Sequence, residues 1–262
     1  MSPLATRSQL PAGARVGSVR LMVHDLARSV GWYTSVLGLH LMREDGDRAV
    51  LGDGVTGVLI LQEDRKAAPR TRTAGIFHVA LLSPSRAELA RAIVRLGQAG
   101  AAIDGYSDHR THEAVYLQDP DGIGLELAVD RPMSEWPEDW GYGSGPAPLD
   151  LRSLLGEIAD EPVIPLVGEG LRVGHVHLTV NDIDAARDFY ADGIGFGLTA
   201  DLGTAVFFAA GEYHHHLATN IWRGSGIPPQ PDRVVGLAEW TLELPTEPPW
   251  PPSPRAWHRT SP

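Results

Sequence analysis

The chain has 262 residues, a net charge of −11 at neutral pH, 43% hydrophobic and 21% charged residues, and no Cys. That length suits about two soluble domains with sizeable cores. The acidic balance and the scattered Arg argue against a nucleic-acid partner. The missing Cys excludes disulfides, thiolate ligands and a Cys nucleophile, and no apolar stretch is long enough to span a bilayer.

Residues 1–15 read as an N-terminal arm. Its first residues, Met1 to Arg7, lack the apolar core of a signal peptide. A cytoplasmic location is the expectation, consistent with a Cys-free chain. From Val16 to Asp64 the first unit begins with the alternation Val19, Leu21, Val23, a half-buried strand. Asp25 stands at an N-cap position. Leu26, Val30, Tyr33 and Leu37 form one apolar helix stripe, which Gly38 ends. Arg48–Leu51 and Gly57–Gln62 read as strands around the turn Gly52-Asp53-Gly54.

The second unit, from about Gly75 to Asp130, opens with the apolar strand Ile76–Leu82. Ser85 and Glu88 make a capping box for a helix with Leu89, Ile93 and Leu96 on its buried face. Ala114–Leu117 and Gly124–Val129 read as strands around the turn Asp119-Pro120-Asp121-Gly122. Residues 132–171, with Trp136-Pro137 and a Gly-rich run, form a connector with one short helical stretch near Leu151–Ile158.

The third unit, Val173 to Trp222, repeats the first. Gly17-Ser18-Val19-Arg20-Leu21-Met22-Val23-His24-Asp25 corresponds to Gly174-His175-Val176-His177-Leu178-Thr179-Val180-Asn181-Asp182. Tyr33 and Gly38 correspond to Tyr190 and Gly195. Gly193-Ile194-Gly195-Phe196-Gly197 has the look of a nucleotide loop, but it follows a helix rather than a strand, so a helix C-cap and turn is expected. A fourth unit opens at Gly236, and its strand Gly236–Leu244 matches the start of the second. The Pro-rich residues 245–262 cannot continue the pattern as helix or interior strand. The expected fold is α+β: repeated βαβββ modules paired into cupped mixed sheets, with the fourth module truncated. The expected domains are 16–131, with two modules, and 172–244, with one full module and one strand.

These modules and motifs resemble the vicinal oxygen chelate superfamily (glyoxalase, bleomycin resistance and extradiol dioxygenase proteins). Within it they are most similar to two-domain catechol 2,3-dioxygenase-like proteins. The residues that carry the resemblance are Asp25…Tyr33…Gly38, Ser107-Asp108-His109…Glu113 to Leu117, Asp119-Pro120-Asp121-Gly122…Glu126, Gly174 to Leu178 and Tyr213-His214-His215-His216-Leu217. It implies a divalent metal in a cup between paired modules, held by His and Glu from first and last strands.

On that resemblance the metal candidates are His78, Glu126, His175 and His216. His215, His109 and Tyr116 are the candidate acid/base and supporting residues. Ser18 and Glu239 fall at first-strand ligand positions in the first and fourth units. No separate cofactor-binding residues are expected.

Two readings of the imidazoles stay open. His175 and His177 share a strand face, as do His214 and His216, which fits a metal site in the third unit or a polar, hydrogen-bonded face. His78 and Glu126 alone are too few ligands, which makes a retired site with His78 as a core residue the alternative. If the second and third units pair, across the connector or between subunits, the four metal candidates come together as a glyoxalase-type set.

The resemblance implies a catechol-opening dioxygenase using Fe(II), with Mn(II) or another divalent metal as alternatives. Its partners would be a small aromatic diol, O₂ and, in a homodimer, a second copy, with no nucleic acid or membrane. A glyoxalase-type isomerase or lyase, a drug-sequestering binding protein and an inactive truncated relative are the competing functions. The truncation would open the cup that holds the third unit.

Overall fold

The structure, a computed structural model, describes residues 8–138 and 145–245. The start of the N-terminal arm, residues 139–144 of the connector and the tail after 245 lie outside the described residues.

Four units follow one another. The first comprises β1 (Arg15–Val23), α1 (Leu26–Ser35), β2 (His40–Asp45), β3 (Arg48–Gly52) and β4 (Gly57–Glu63). The second comprises β5 (Gly75–Leu82), α2 (Arg86–Gln98), β6 (Ile103–Asp108), β7 (His112–Gln118) and β8 (Gly124–Asp130). After a 3₁₀ turn and α3 (Leu151–Gly156), the third has β9 (Arg172–Thr179), α4 (Ile183–Arg187), β10 (Gly197–Asp201), β11 (Ala205–Ala209) and β12 (Leu217–Asn220). Among the described residues the fourth unit supplies β13 (Gly236–Glu243).

The first two helices start where the caps Asp25 and Ser85 predict, each side chain accepting a backbone N–H from the first turn, and Asp182, the counterpart of Asp25, caps the third in the same way. The third unit's helix departs from a regular stripe: it widens into a π-helical stretch over Asp188–Ile194, which Gly195 closes at φ 98°. The glycine-rich run there is thus a helix terminus, as its position after a helix requires.

The sheets do not pair units in chain order. One sheet runs β13-β1-β4-β3-β2, and the other runs β10-β11-β12-β9-β5-β8-β7-β6. The second and third units therefore share one continuous sheet, joined by antiparallel β5 and β9, while the first unit takes β13 on its free edge. The apolar outer faces of both sheets and the helices close one core. Tyr33, Leu21 and Leu59 of the first unit, Leu89 and Leu96 of the second and Phe208 of the third are all buried in it. Among the described residues no helix is long and apolar enough to cross a membrane.

The turn Asp119-Pro120-Asp121-Gly122 fastens the two sheets. Asp119 Oδ1 accepts the N–H groups of Asp121 and Ile123 at 2.9 and 2.8 Å, with Gly122 at φ 74° completing the turn. Its other oxygen accepts the Tyr33 hydroxyl of α1 at 3.1 Å. Asp121 takes the His24 N–H at 3.0 Å and pairs with Arg28.

Burial raises the Asp119 carboxyl to about 6, against these hydrogen bonds. A raised carboxyl favours the native state while it is protonated, so its contribution is full below about pH 4 and lost as pH rises through about 6. Two units correspond to about 2–3 kcal/mol. Asp119→Asn is expected to gain that amount on the wild type between pH 4 and pH 7 in urea unfolding; parallel pH profiles would contradict it.

Candidate metal centre

Three neighbouring strands aim one donor each into the hollow of the eight-stranded sheet. His78 lies on β5, Glu126 on β8 and His175 on β9. Parallel pairing sets His78 opposite Gly124 and Ala80 opposite Glu126, while antiparallel pairing sets Ala80 opposite His175. The two-residue period then puts all three side chains on the same, concave face. His78 Nε2 stands 3.0 Å from Glu126 Oε2, His175 Nε2 stands 3.1 Å from the same oxygen, and the two imidazole nitrogens are 3.1 Å apart. All three residues are buried.

Burial alone would raise the Glu126 carboxyl, but the imidazoles of His175, His112 and His78 hold it well below the usual range. Burial lowers His175 despite the same carboxylate. The result is an ionised carboxylate beside an imidazole that burial keeps from charging. Among the described residues its ion-pair partners are imidazoles, with no Arg or Lys. A buried carboxylate with so little positive charge around it is costly unless a cation joins it.

The donor set fits a divalent ion. The three donor atoms stand 3.0–3.1 Å from one another, close enough to share one ion. Two imidazoles and one carboxylate are the ligand set of non-haem Fe(II) oxygenases.

Register also assigns the fourth, symmetry-related position. His175 in the third unit corresponds to His78 in the second, because His78 faces His177 while Ala80 faces His175. On the last strand, Ala80 pairs with Glu126 and the corresponding His177 pairs with Ala218. Ala218, fully buried among Ala200, Ala205 and Phe207, therefore stands where a second carboxylate would. His216 falls two residues earlier, at the counterpart of Gly124, and lies outside the three-donor group. Its Nδ1 accepts the Ala210 N–H at 3.1 Å inside the β11–β12 connection, and burial lowers it to about 4. The third donor beside His78 and Glu126 thus comes from the third unit, where sequence spacing left that pair short of a ligand.

The first and fourth units, by contrast, hold an ion pair. Arg20 sits opposite Glu239 with 2.6 Å between their charged atoms, and it donates to Gln62 at 2.7 Å. Thr241 donates to the Ser18 carbonyl at 3.1 Å. The fourth unit's β13 therefore borders this second sheet, and the cup of His78, Glu126 and His175 is lined by two full units.

A second layer of imidazoles surrounds the three donors. His112 stands with Nε2 3.3 Å from the second oxygen of Glu126, outside hydrogen-bond geometry, and its Nδ1 is 2.9 Å from the Thr111 hydroxyl. It stacks between His109 and His214, with ring centres at 4.5 and 4.6 Å. Sequence spacing did not single out His112. The signal was present: counting by twos from Tyr116, which faces Glu126 across β7 and β8, puts His112 on the cup side.

His109 and the Tyr116 hydroxyl share a 2.7 Å hydrogen bond, and burial lowers His109 to about 4. His215 packs 4.0 Å from His175, ring centre to ring centre, and burial holds it well below the usual range. Asn220 Nδ2 donates to His177 Nε2 at 2.9 Å, and the rings of Phe77, Trp222 and Phe207 pack around His177.

Comparisons with known proteins agree with this sheet architecture. The description "Glyoxalase/Bleomycin resistance protein/Dioxygenase superfamily" matches residues 15–127 and 172–237. The chain belongs to this superfamily. A catechol-2,3-dioxygenase of Bacillus subtilis (strain 168) is 38% identical over 237 residues, covering 88% of this chain and 82% of that protein. Among solved structures, one from Bacillus subtilis subsp. subtilis str. 168 superposes with a TM-score of 0.57 at 15% identity, covering 90% of this chain and 71% of that chain. Glyoxalase I from Zea mays gives 0.53 at 17% identity, covering 88% and 74%. At such identities the two structures speak for the shared superfamily fold alone.

Proposed function

We propose that this superfamily member is an extradiol dioxygenase, opening the ring of a catechol-type substrate with O₂ beside the diol. His78, Glu126 and His175 would hold a non-haem divalent metal, Fe(II) in the first instance. The observation that carries the reading is Ala218. With alanine at the fourth symmetric position, the cup would give an ion three protein ligands and leave it room for a chelating diol and O₂. A glyoxalase-type isomerase would use a carboxylate there to move a proton. The 38% identical relative named a catechol-2,3-dioxygenase points the same way.

The bound ion would supply Lewis-acid chemistry, lowering the pKa of a chelating diol. The protein's own groups do the rest. His215, packed on His175, is the candidate to accept a proton from the diol and return it to the opened product. Tyr116 and His109, joined at 2.7 Å beside His78, would hold an oxygen atom in place by hydrogen bonding. Phe77 and Trp222, packed on each other beside His177, would offer apolar surface to an aromatic substrate.

Chains loaded anaerobically with Fe(II) and then given catechol and air are expected to take up O₂ and form a yellow ring-opened product in equal amounts. An oxygen electrode showing no uptake across a range of catechols would overturn the reading.

A further inference from the structure

Behind His215 lies a chain of hydrogen bonds that the proposed reaction has not used. His215 Nδ1 and His214 Nδ1 are 2.8 Å apart, and His214 Nε2 is 3.0 Å from Asp130 Oδ1. Tyr213, on the same connection between β11 and β12, donates its hydroxyl to Asp130 Oδ2 at 2.9 Å. Arg172 lies 3.5 Å from that second oxygen. Asp130 ends β8 and so belongs to the second unit, while the three ring-bearing residues belong to the third. The relay therefore crosses the same unit boundary as the candidate metal ligands.

We infer that Asp130 and His214 are positioning residues that fix the tautomer of His215, leaving its Nε2 with the lone pair. Each link follows from what its atoms can do. The carboxylate Oδ1 only accepts, so His214 Nε2 must carry a hydrogen. A neutral imidazole has one N–H, so His214 Nδ1 is then an acceptor. The partner 2.8 Å away must donate, which puts the hydrogen of His215 on Nδ1. The His214 ring is buried, so its charged form is disfavoured. Tyr213 and Arg172 hold the carboxylate in orientation, and Trp136 packs its ring on Tyr213 and His214.

The inference rests on the dioxygenase reading for its consequence. With Nε2 fixed as acceptor, His215 takes the hydroxyl proton of the diol, and the O–H electron pair stays on the diol oxygen. An imidazole held in the other tautomer would present an N–H to that hydroxyl and could not take the proton.

Nitrogen NMR of the full chain with ¹⁵N-labelled histidine, metal-free and loaded with Zn(II), reads the tautomers without turnover. The wild type is expected to show His214 protonated on Nε2 and His215 on Nδ1, and Asp130→Ala to show a mixture of tautomers at both rings. Asp130→Glu is expected to restore the single pattern. A wild type with His215 protonated on Nε2, or an imidazolium at His214, overturns the inference. So does an Asp130→Ala chain with the wild-type pattern.

In the Fe(II)-loaded enzyme, Asp130→Ala is expected to lower kcat for catechol about 10²-fold, within the range for acid–base catalysis, with metal content and KM unchanged. Equal kcat in the two proteins also counts against it. If the wild type turns over no catechol, the dioxygenase reading fails on its own, and the NMR pattern still decides the relay.

Discussion

Glu126→Gln is expected to leave the chain folded and empty of metal. The substitution keeps the volume of a fully buried side chain, so it makes no cavity, yet it removes the one negative charge among the three donors. Two imidazoles without the carboxylate hold a divalent ion weakly. Altering a group that merely supports a ligand already costs about 10–100-fold in metal affinity, so loss of the ligand's own charge should exceed that range.

Heat unfolding reads the same loss without substrate. A ligand at 100 times its Kd stabilises a folded protein by about 2.7 kcal/mol. Added Fe(II) or Zn(II) should therefore raise the wild-type Tm by several degrees and leave that of Glu126→Gln unmoved. Equal metal-induced shifts in the two proteins would contradict the assignment.

Gly124→Ala is expected to damage the same site through the backbone. Gly124 lies on β8 opposite His78. A Cβ there would stand 2.2 Å from the Phe77 carbonyl oxygen and 3.2 Å from His78 Cβ. The first obstacle is backbone in the adjacent strand and cannot swing aside, so β5 and β8 must separate. Overpacking of this kind costs about 1–3 kcal/mol, and it moves His78 away from Glu126. Gly97→Ala is the control. Its site in α2 has nothing within 4 Å of an added Cβ, and alanine there should stabilise by about 0.5–1 kcal/mol. Denaturant midpoints that move the same way for both variants would refute the contact argument.

Much of this was legible in the sequence. The caps Asp25 and Ser85, the apolar stripes of the first two helices and the repeated opening strands are local signals, and each is in place. The edge strands β2, β6 and β10 carry too little alternation to stand out; β2 and β6 are half-buried to exposed along much of their length. The candidate site was legible as a set of residues and not as an assembly. His78, Glu126 and His175 could each be named, but which units meet is decided by long-range pairing of β5 with β9. No local pattern encodes that pairing.

Counting along the chain put His216 at the last-strand ligand position. Sheet register gives that place to Ala218, because β12 begins after the three-His run and not within it. By the same pairing β13 edges the other sheet, so the truncation expected for the fourth unit does not fall on the cup of His78, Glu126 and His175. His109 is marked by a motif, whereas His112 is marked only by its spacing from Tyr116 on the cup face of β7.

Metal content after anaerobic Fe(II) loading and desalting, measured on single-alanine variants, tests the His78–Glu126–His175 centre most directly. The expected result is one ion per chain in the wild type and in His216→Ala, and none in His78→Ala, Glu126→Ala or His175→Ala. A His216→Ala chain that loses its metal while His78→Ala keeps it would contradict the centre.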